Sequence, residues 1–230
     1  MVDAAGTVPR GRLWGWLALV GAVAALNFAG RFAGDDEDSR DALYLYSTAV
    51  GGAVFYAIFL GIVLLLARGL NMREVFALRA PASWGRAVLL VLGALAAIFV
   101  VSYALYRLGL RGGEEQGIVP EEWDPDRAGA YAANFVVIAI FGPIVEELTY
   151  RGLGQHLLGV LYGTTVALAA TAVLFGLAHG LVEGFLALAF FGLAAGWLRL
   201  RTESIYPPIV LHMIFNGLAL IAAVTVDTDL

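Results

Sequence analysis

Two adjacent carboxylates and an arginine, Glu146, Glu147 and Arg151, stand inside a long apolar stretch, and two of the chain's three histidines, His179 and His212, stand in later ones. An ionised group in hydrocarbon costs at least a few kcal/mol, so such a set must be compensated internally. Arg151 follows Glu147 by four residues, one helical turn on in the favourable acid-before-base order, so the two can pair on one helix face. Glu146 lies about 100° round the same helix and needs another partner, for which His179 and His212 are the candidates. A carboxylate desolvated beside a second carboxylate is a usable general base, so Glu146 suits removal of a proton from an attacking water. One glutamate with two histidines is also the ligand set of a catalytic zinc. Glu146, His179 and His212 therefore form the alternative metal site, with the metal activating the water.

Composition determines what must position these groups. Hydrophobic residues make up 60% of the 230, mean hydropathy is +0.82 and only 14% are charged, which implies several membrane spans rather than a soluble core. The expected fold is an all-α integral membrane protein of about seven transmembrane helices. There is no cysteine, which excludes disulfide, thiolate and cysteine-ligated metal chemistry. All 14 basic residues are arginine, against 19 acids, and no arginine cluster is dense enough for a nucleic-acid partner.

Runs long enough to cross a membrane begin with Leu13 to Phe32, too long and without the cleavage site of a signal peptide. An acidic loop, Asp35 to Asp38, leads to a second span, Tyr44 to Ala67. An arginine-rich connector follows, whose amphipathic piece Met72 to Leu78 is expected at the interface, and then a third span, Ala87 to Tyr106. Residues 1–106 thus form an N-terminal three-span region, 107–130 an acidic loop with a turn around Glu121-Glu122-Trp123, and 131–230 a four-helix region carrying the polar residues. The fourth stretch, Tyr131 to Val160, would be roughly 45 Å long and must tilt or kink, with Gly142-Pro143 the expected kink. Counting from the turn at Gly159 to Gly163, Glu146 and His179 lie about 20 to 24 Å up neighbouring helices, so an antiparallel hairpin brings them together. Gly192, Ala194, Ala195 and Gly196 in the sixth stretch suit close helix packing. His212 is too shallow in the seventh unless the chain re-enters, so an extended segment from Thr202 to Pro207 is expected before it.

The motifs Glu-Glu-x-x-x-Arg (Glu146, Glu147, Arg151), Phe-x-x-x-His (Phe175, His179) and His-x-x-x-Asn (His212, Asn216) resemble, in that order, the signature of the CAAX prenyl protease and bacteriocin-processing family of intramembrane proteases. The resemblance covers about Val136 to Ala223. It implies an intramembrane endopeptidase acting on a membrane-associated or lipidated peptide or protein, with membrane lipid as the other partner. It also implies that His179 holds or polarises the water and that His212 and Asn216 stabilise the oxyanion, a role worth ~3 to 4 kcal/mol per donor. Glu147 with Arg151 would fix the helix and tune Glu146. Asn216, sharing a helix face with His212, suits oxyanion donation better than ligation, so a site without zinc is expected. The cytoplasmic membrane of a prokaryote is the expected location.

Blander readings exist for each residue. Glu147 and Arg151 could be a purely structural ion pair, His156 reads as an exposed interfacial residue, and the whole cluster could belong to a silent membrane scaffold or immunity-type protein. A small transporter or proton relay would also place Glu and His in the bilayer, but the inverted repeats common to transporters are missing here.

Overall fold

Apolar runs of about 20 residues must satisfy their backbone hydrogen bonds internally when lipid surrounds them, and the helix does this within one segment. The computed structural model describes residues 10–33, 41–110, 112 and 123–225; the acidic stretch Asp35 to Asp38 and Glu121-Glu122 lie outside them. Three long helices come first, α1 (Arg10–Ala33), α2 (Tyr46–Ala67) and, after the short α3 (Met72–Val75), α4 (Trp84–Arg107). The fourth apolar stretch is one continuous helical rod built of α5 (Ala128–Val136), a π-helical stretch π1 (Val137–Phe141), α6 (Gly142–Glu147), a second π-helical stretch π2 (Leu148–Gly154) and α7 (Gln155–Tyr162). Helices α8 (Thr164–Ala178), α9 (Phe185–Thr202) and α10 (Tyr206–Ala223) complete the chain. The protein is an all-α membrane protein. Among the described residues six helical segments are long and apolar enough to cross, and α8, at 15 residues, is the shorter seventh.

Helix α8 is short because it ends inside the bundle. Gly180 takes a left-handed conformation (φ 69°), and its backbone presses so closely on α1 that a Cβ there would lie 2.8 Å from Asn27 C. Asn27 Nδ2 donates to Ala178 O at 2.6 Å, supplying one of the carbonyls a helix end leaves unpaired. The α8–α9 hairpin closes tightly at Gly192, where a Cβ would lie 2.9 Å from Ala172 Cα, so the small residues of α9 do allow backbone approach.

Two expectations about connectors change. Met72 to Leu78 does not simply lie at the interface: Val75, Phe76 and Ala77 are buried, and the Phe76 ring fills the space that a side chain at Gly152 would need. The approach to α10 starts inside the protein, as expected, but without an extended segment. A three-residue turn, Glu203 to Ile205, joins α9 to α10, with Glu203 left-handed (φ 51°), Ser204 and Ile205 fully buried and the Ile205 N–H donating to Ala77 O at 3.1 Å. The Ile205 bond to Ala77 ties the start of α10 to the inserted Phe76-Ala77 segment, which packs on Gly152, and about one and a half turns on His212 reaches Glu147. Pro207 and Pro208 occupy the first turn of α10, where a missing N–H leaves nothing unpaired.

α1 also packs against π2. The Trp16 indole, fully buried, donates Nε1–H to Thr149 O at 3.0 Å, and a Cβ at Gly154 would lie 2.2 Å from its Cζ2. Gly154→Ala should therefore lower thermal stability by about 1–3 kcal/mol through overpacking; an unchanged melting temperature in detergent would show that Trp16 is free to move.

Candidate active site

The Glu pair sits on α6, between the two π-helical stretches, and Pro143 stands in the first turn of α6. The kink expected at Gly142-Pro143 is thus accompanied by π-helix on both sides, a local irregularity frequent at functional sites. Carbonyls of π2 find partners outside the rod: Thr149 O accepts from Trp16, and Arg151 O accepts from Arg199 Nε at 3.0 Å.

Glu147 and Arg151 are both fully buried and paired, Nη1 to Oε1 at 2.9 Å. Arg151 also donates Nη2–H to Gly192 O at 3.0 Å and lies 4.4 Å from the centre of the Phe175 ring, so its charge is held by a carboxylate, a carbonyl and an aromatic face. His212, 3% exposed, shares the same carboxylate oxygen, with Nδ1 2.8 Å from Glu147 Oε1. An ionised carboxylate only accepts, so His212 Nδ1 carries the hydrogen. His179 Nδ1 stands 2.8 Å from Phe175 O and donates to it by the same reasoning. Both imidazoles therefore present Nε2 elsewhere, and elsewhere is Glu146: His179 Nε2 is 4.0 Å and His212 Nε2 3.9 Å from Glu146 Oε2. Among the described residues Oε2 has no hydrogen-bond partner, while Oε1 accepts from the Tyr56 hydroxyl at 2.8 Å. Phe175 and Phe191 wall the cluster, with ring centres 5.6 Å and 4.7 Å from that of His212.

Five of the six residues singled out from the sequence, Glu146, Glu147, Arg151, His179 and His212, thus meet in one place. Asn216, one turn beyond His212 on α10, points its amide at π1, donating from Nδ2 to Ile138 O at 2.9 Å. Tyr56 and Asn27 were not singled out. Each is a polar-tipped residue within an apolar run, and that is the only signal the sequence offers for them. His156 is half-buried rather than exposed and stands apart from the cluster.

Residues 128–218 match the family model of the type II CAAX prenyl endopeptidases, Rce1-like. That segment, about two fifths of the chain, is similar to the Rce1-like family. All six residues lie within the Rce1-like segment, whereas Trp16, Asn27 and Tyr56, which reach into it, lie outside. A Bacillus subtilis (strain 168) protein named "Putative membrane peptidase YdiL" is 27% identical over 124 residues, covering 53% of this chain and 47% of that protein. The alignment thus spans about half of the curated relative. No solved structure matches the chain.

The spacing of the Rce1-like cluster bears on zinc. Tetrahedral zinc with bonds near 2.0–2.1 Å sets its ligand atoms roughly 3.3 Å apart, closer than the 3.9 and 4.0 Å seen here between each Nε2 and Oε2. A water bonded at about 2.8 Å to each atom spans such gaps without any shift. Those two separations suit a bridging water as they stand, and ligation of zinc would need each pair to draw together by about 0.6–0.7 Å.

Proposed function

We propose that the protein is an intramembrane endopeptidase that hydrolyses a peptide bond of a membrane-associated substrate, with Glu146 as general base. One observation carries the reading: Glu146 Oε2, unpartnered among the described residues, faces two imidazole Nε2 atoms whose Nδ1 hydrogens are committed elsewhere. Glu146 Oε2 and His179 Nε2 can each accept a hydrogen and His212 Nε2 borders the same space, an arrangement that favours a hydrogen-bonding water there.

In the mechanism this supports, a water donates one hydrogen to Glu146 Oε2 and the other to His179 Nε2. Its oxygen attacks the scissile carbonyl as Glu146 takes the proton, which then passes to the departing amine. The carbonyl oxygen gains negative charge. His212 can stabilise it from Nε2 when it is an imidazolium, and Glu147, bound to Nδ1, balances that charge as well as fixing the ring. The cluster then holds two carboxylates against one guanidinium and one imidazolium and is neutral overall, as a buried site favours. Asn216 has a second N–H beyond the one given to Ile138 O and would be the other oxyanion donor. The rings of Phe175 and Phe191 provide the apolar surroundings in which these interactions are strong.

The reading is tested with the purified full chain in lipid nanodiscs, given the same peptide with and without a lipid anchor, products being identified by mass spectrometry. Cleavage is expected, faster for the anchored peptide. Strong chelators should change the rate by no more than about twofold; a chelator-induced loss that added zinc restores would show that a metal activates the water.

A further inference from the structure

We infer that Tyr56, on α2 and outside the Rce1-like segment, is a positioning residue that orients the Glu146 carboxylate, an inference that rests on the general-base reading above. Rotation of a glutamate carboxylate about its last bond is soft, so an unrestrained Glu146 would present either oxygen at varying angles. The Tyr56 hydroxyl donates to Oε1 at 2.8 Å and leaves Oε2 directed at the Nε2 atoms of His179 and His212. One oxygen is held, and the other is left to take the proton.

The seat of the phenol is built by the neighbouring sequence. Gly142 lies one turn before Glu146 on the same face of α6, and a Cβ there would stand 2.8 Å from both the hydroxyl oxygen and Cζ of Tyr56, with a further contact at 3.0 Å to Cε2. No side chain larger than hydrogen leaves room for the ring. Phe141 packs edge-on against it with centres 6.0 Å apart. The Gly-Pro pair that shapes the rod therefore also admits a hydroxyl from a different helix, 90 residues earlier in the chain, to the catalytic carboxylate.

A structural role alone, satisfying a buried oxygen, would also place Tyr56 here, so the test must separate positioning from support. Cleavage kinetics are measured on the full chain in nanodiscs for Tyr56→Phe, Gly142→Ala and the double variant, with Glu146→Gln alongside. Tyr56→Phe should lower kcat about tenfold or more, the scale of one hydrogen bond to a charged group, with KM within about twofold. Gly142→Ala should produce a comparable loss by displacing the phenol, and the double variant should be no slower than the worse single one, because both remove the same contact. The infrared carboxylate band assigned by difference with Glu146→Gln should shift in Tyr56→Phe, a change that loss of packing elsewhere would not cause. A kcat within about twofold of the parent in Tyr56→Phe while Glu146→Gln is inactive would overturn the inference and leave the base reading standing, as would losses that multiply in the double variant. Native activity in Glu146→Gln would overturn both.

Discussion

Arg151→Met should leave the protein poorly folded, with a destabilisation of about 3–5 kcal/mol, the usual result of removing one member of a buried ion pair. The guanidinium is fully buried and is held by Glu147, by Gly192 O and by the Phe175 face. Its removal leaves Glu147 with His212 alone in a site closed to solvent, and the loss is a large part of the roughly 5–15 kcal/mol by which a folded protein is stable. The measurement is the yield of monodisperse protein in detergent together with its thermal melting. Adding Glu147→Leu removes the stranded charge and should restore most of the folding, since apolar replacement of a whole buried pair is often neutral or stabilising. Activity should not return with it, because His212 loses the acceptor that fixes its ring. A parent-like melt in Arg151→Met would mean that the pair contributes nothing to the fold.

What could be read from the sequence follows from what hydrocarbon demands. Length and hydropathy identify spans because a backbone in lipid has few alternatives to the helix, and the limits expected for the second and third spans fall within two or three residues of α2 and α4. Counting residues from a shared turn also worked for Glu146 and His179, which stand 4.0 Å apart, since helix rise is nearly constant. The same counting misjudged the approach to His212, where depth depends on Phe76 docking at Gly152, a contact between residues far apart in sequence that no local pattern announces. The two π-helical stretches were missed for a related reason. Carbonyls of π2 are taken up by Trp16 and Arg199 and Ile138 O of π1 by Asn216, all from other helices, whereas Gly142-Pro143 signals only that a helix is disturbed. Tyr56, Asn27 and Trp16 show how the first two N-terminal spans, which carry no recognisable motif, support the site: each of the three residues supplies one donor, to a carboxylate or a carbonyl of the motif-bearing half. Periodicity tells which face of a helix is buried but not which neighbour meets it.

Substitution of Glu146 by glutamine tests the central claim most directly. The change keeps the size of the side chain and its ability to accept from Tyr56 while removing its capacity to take a proton. Glu146 is only 15% exposed and its Oε2 has no partner among the described residues, so losing the charge should leave stability unchanged or improved. Cleavage of a membrane-associated peptide by Glu146→Gln in nanodiscs should fall at least about 100-fold, the lower end of what a positioned acid or base contributes, with a melting temperature at or above that of the parent. Cleavage at the parental rate by the well-folded variant would contradict the account, because among the described residues Glu146 is the one carboxylate facing both the His179 and His212 Nε2 atoms.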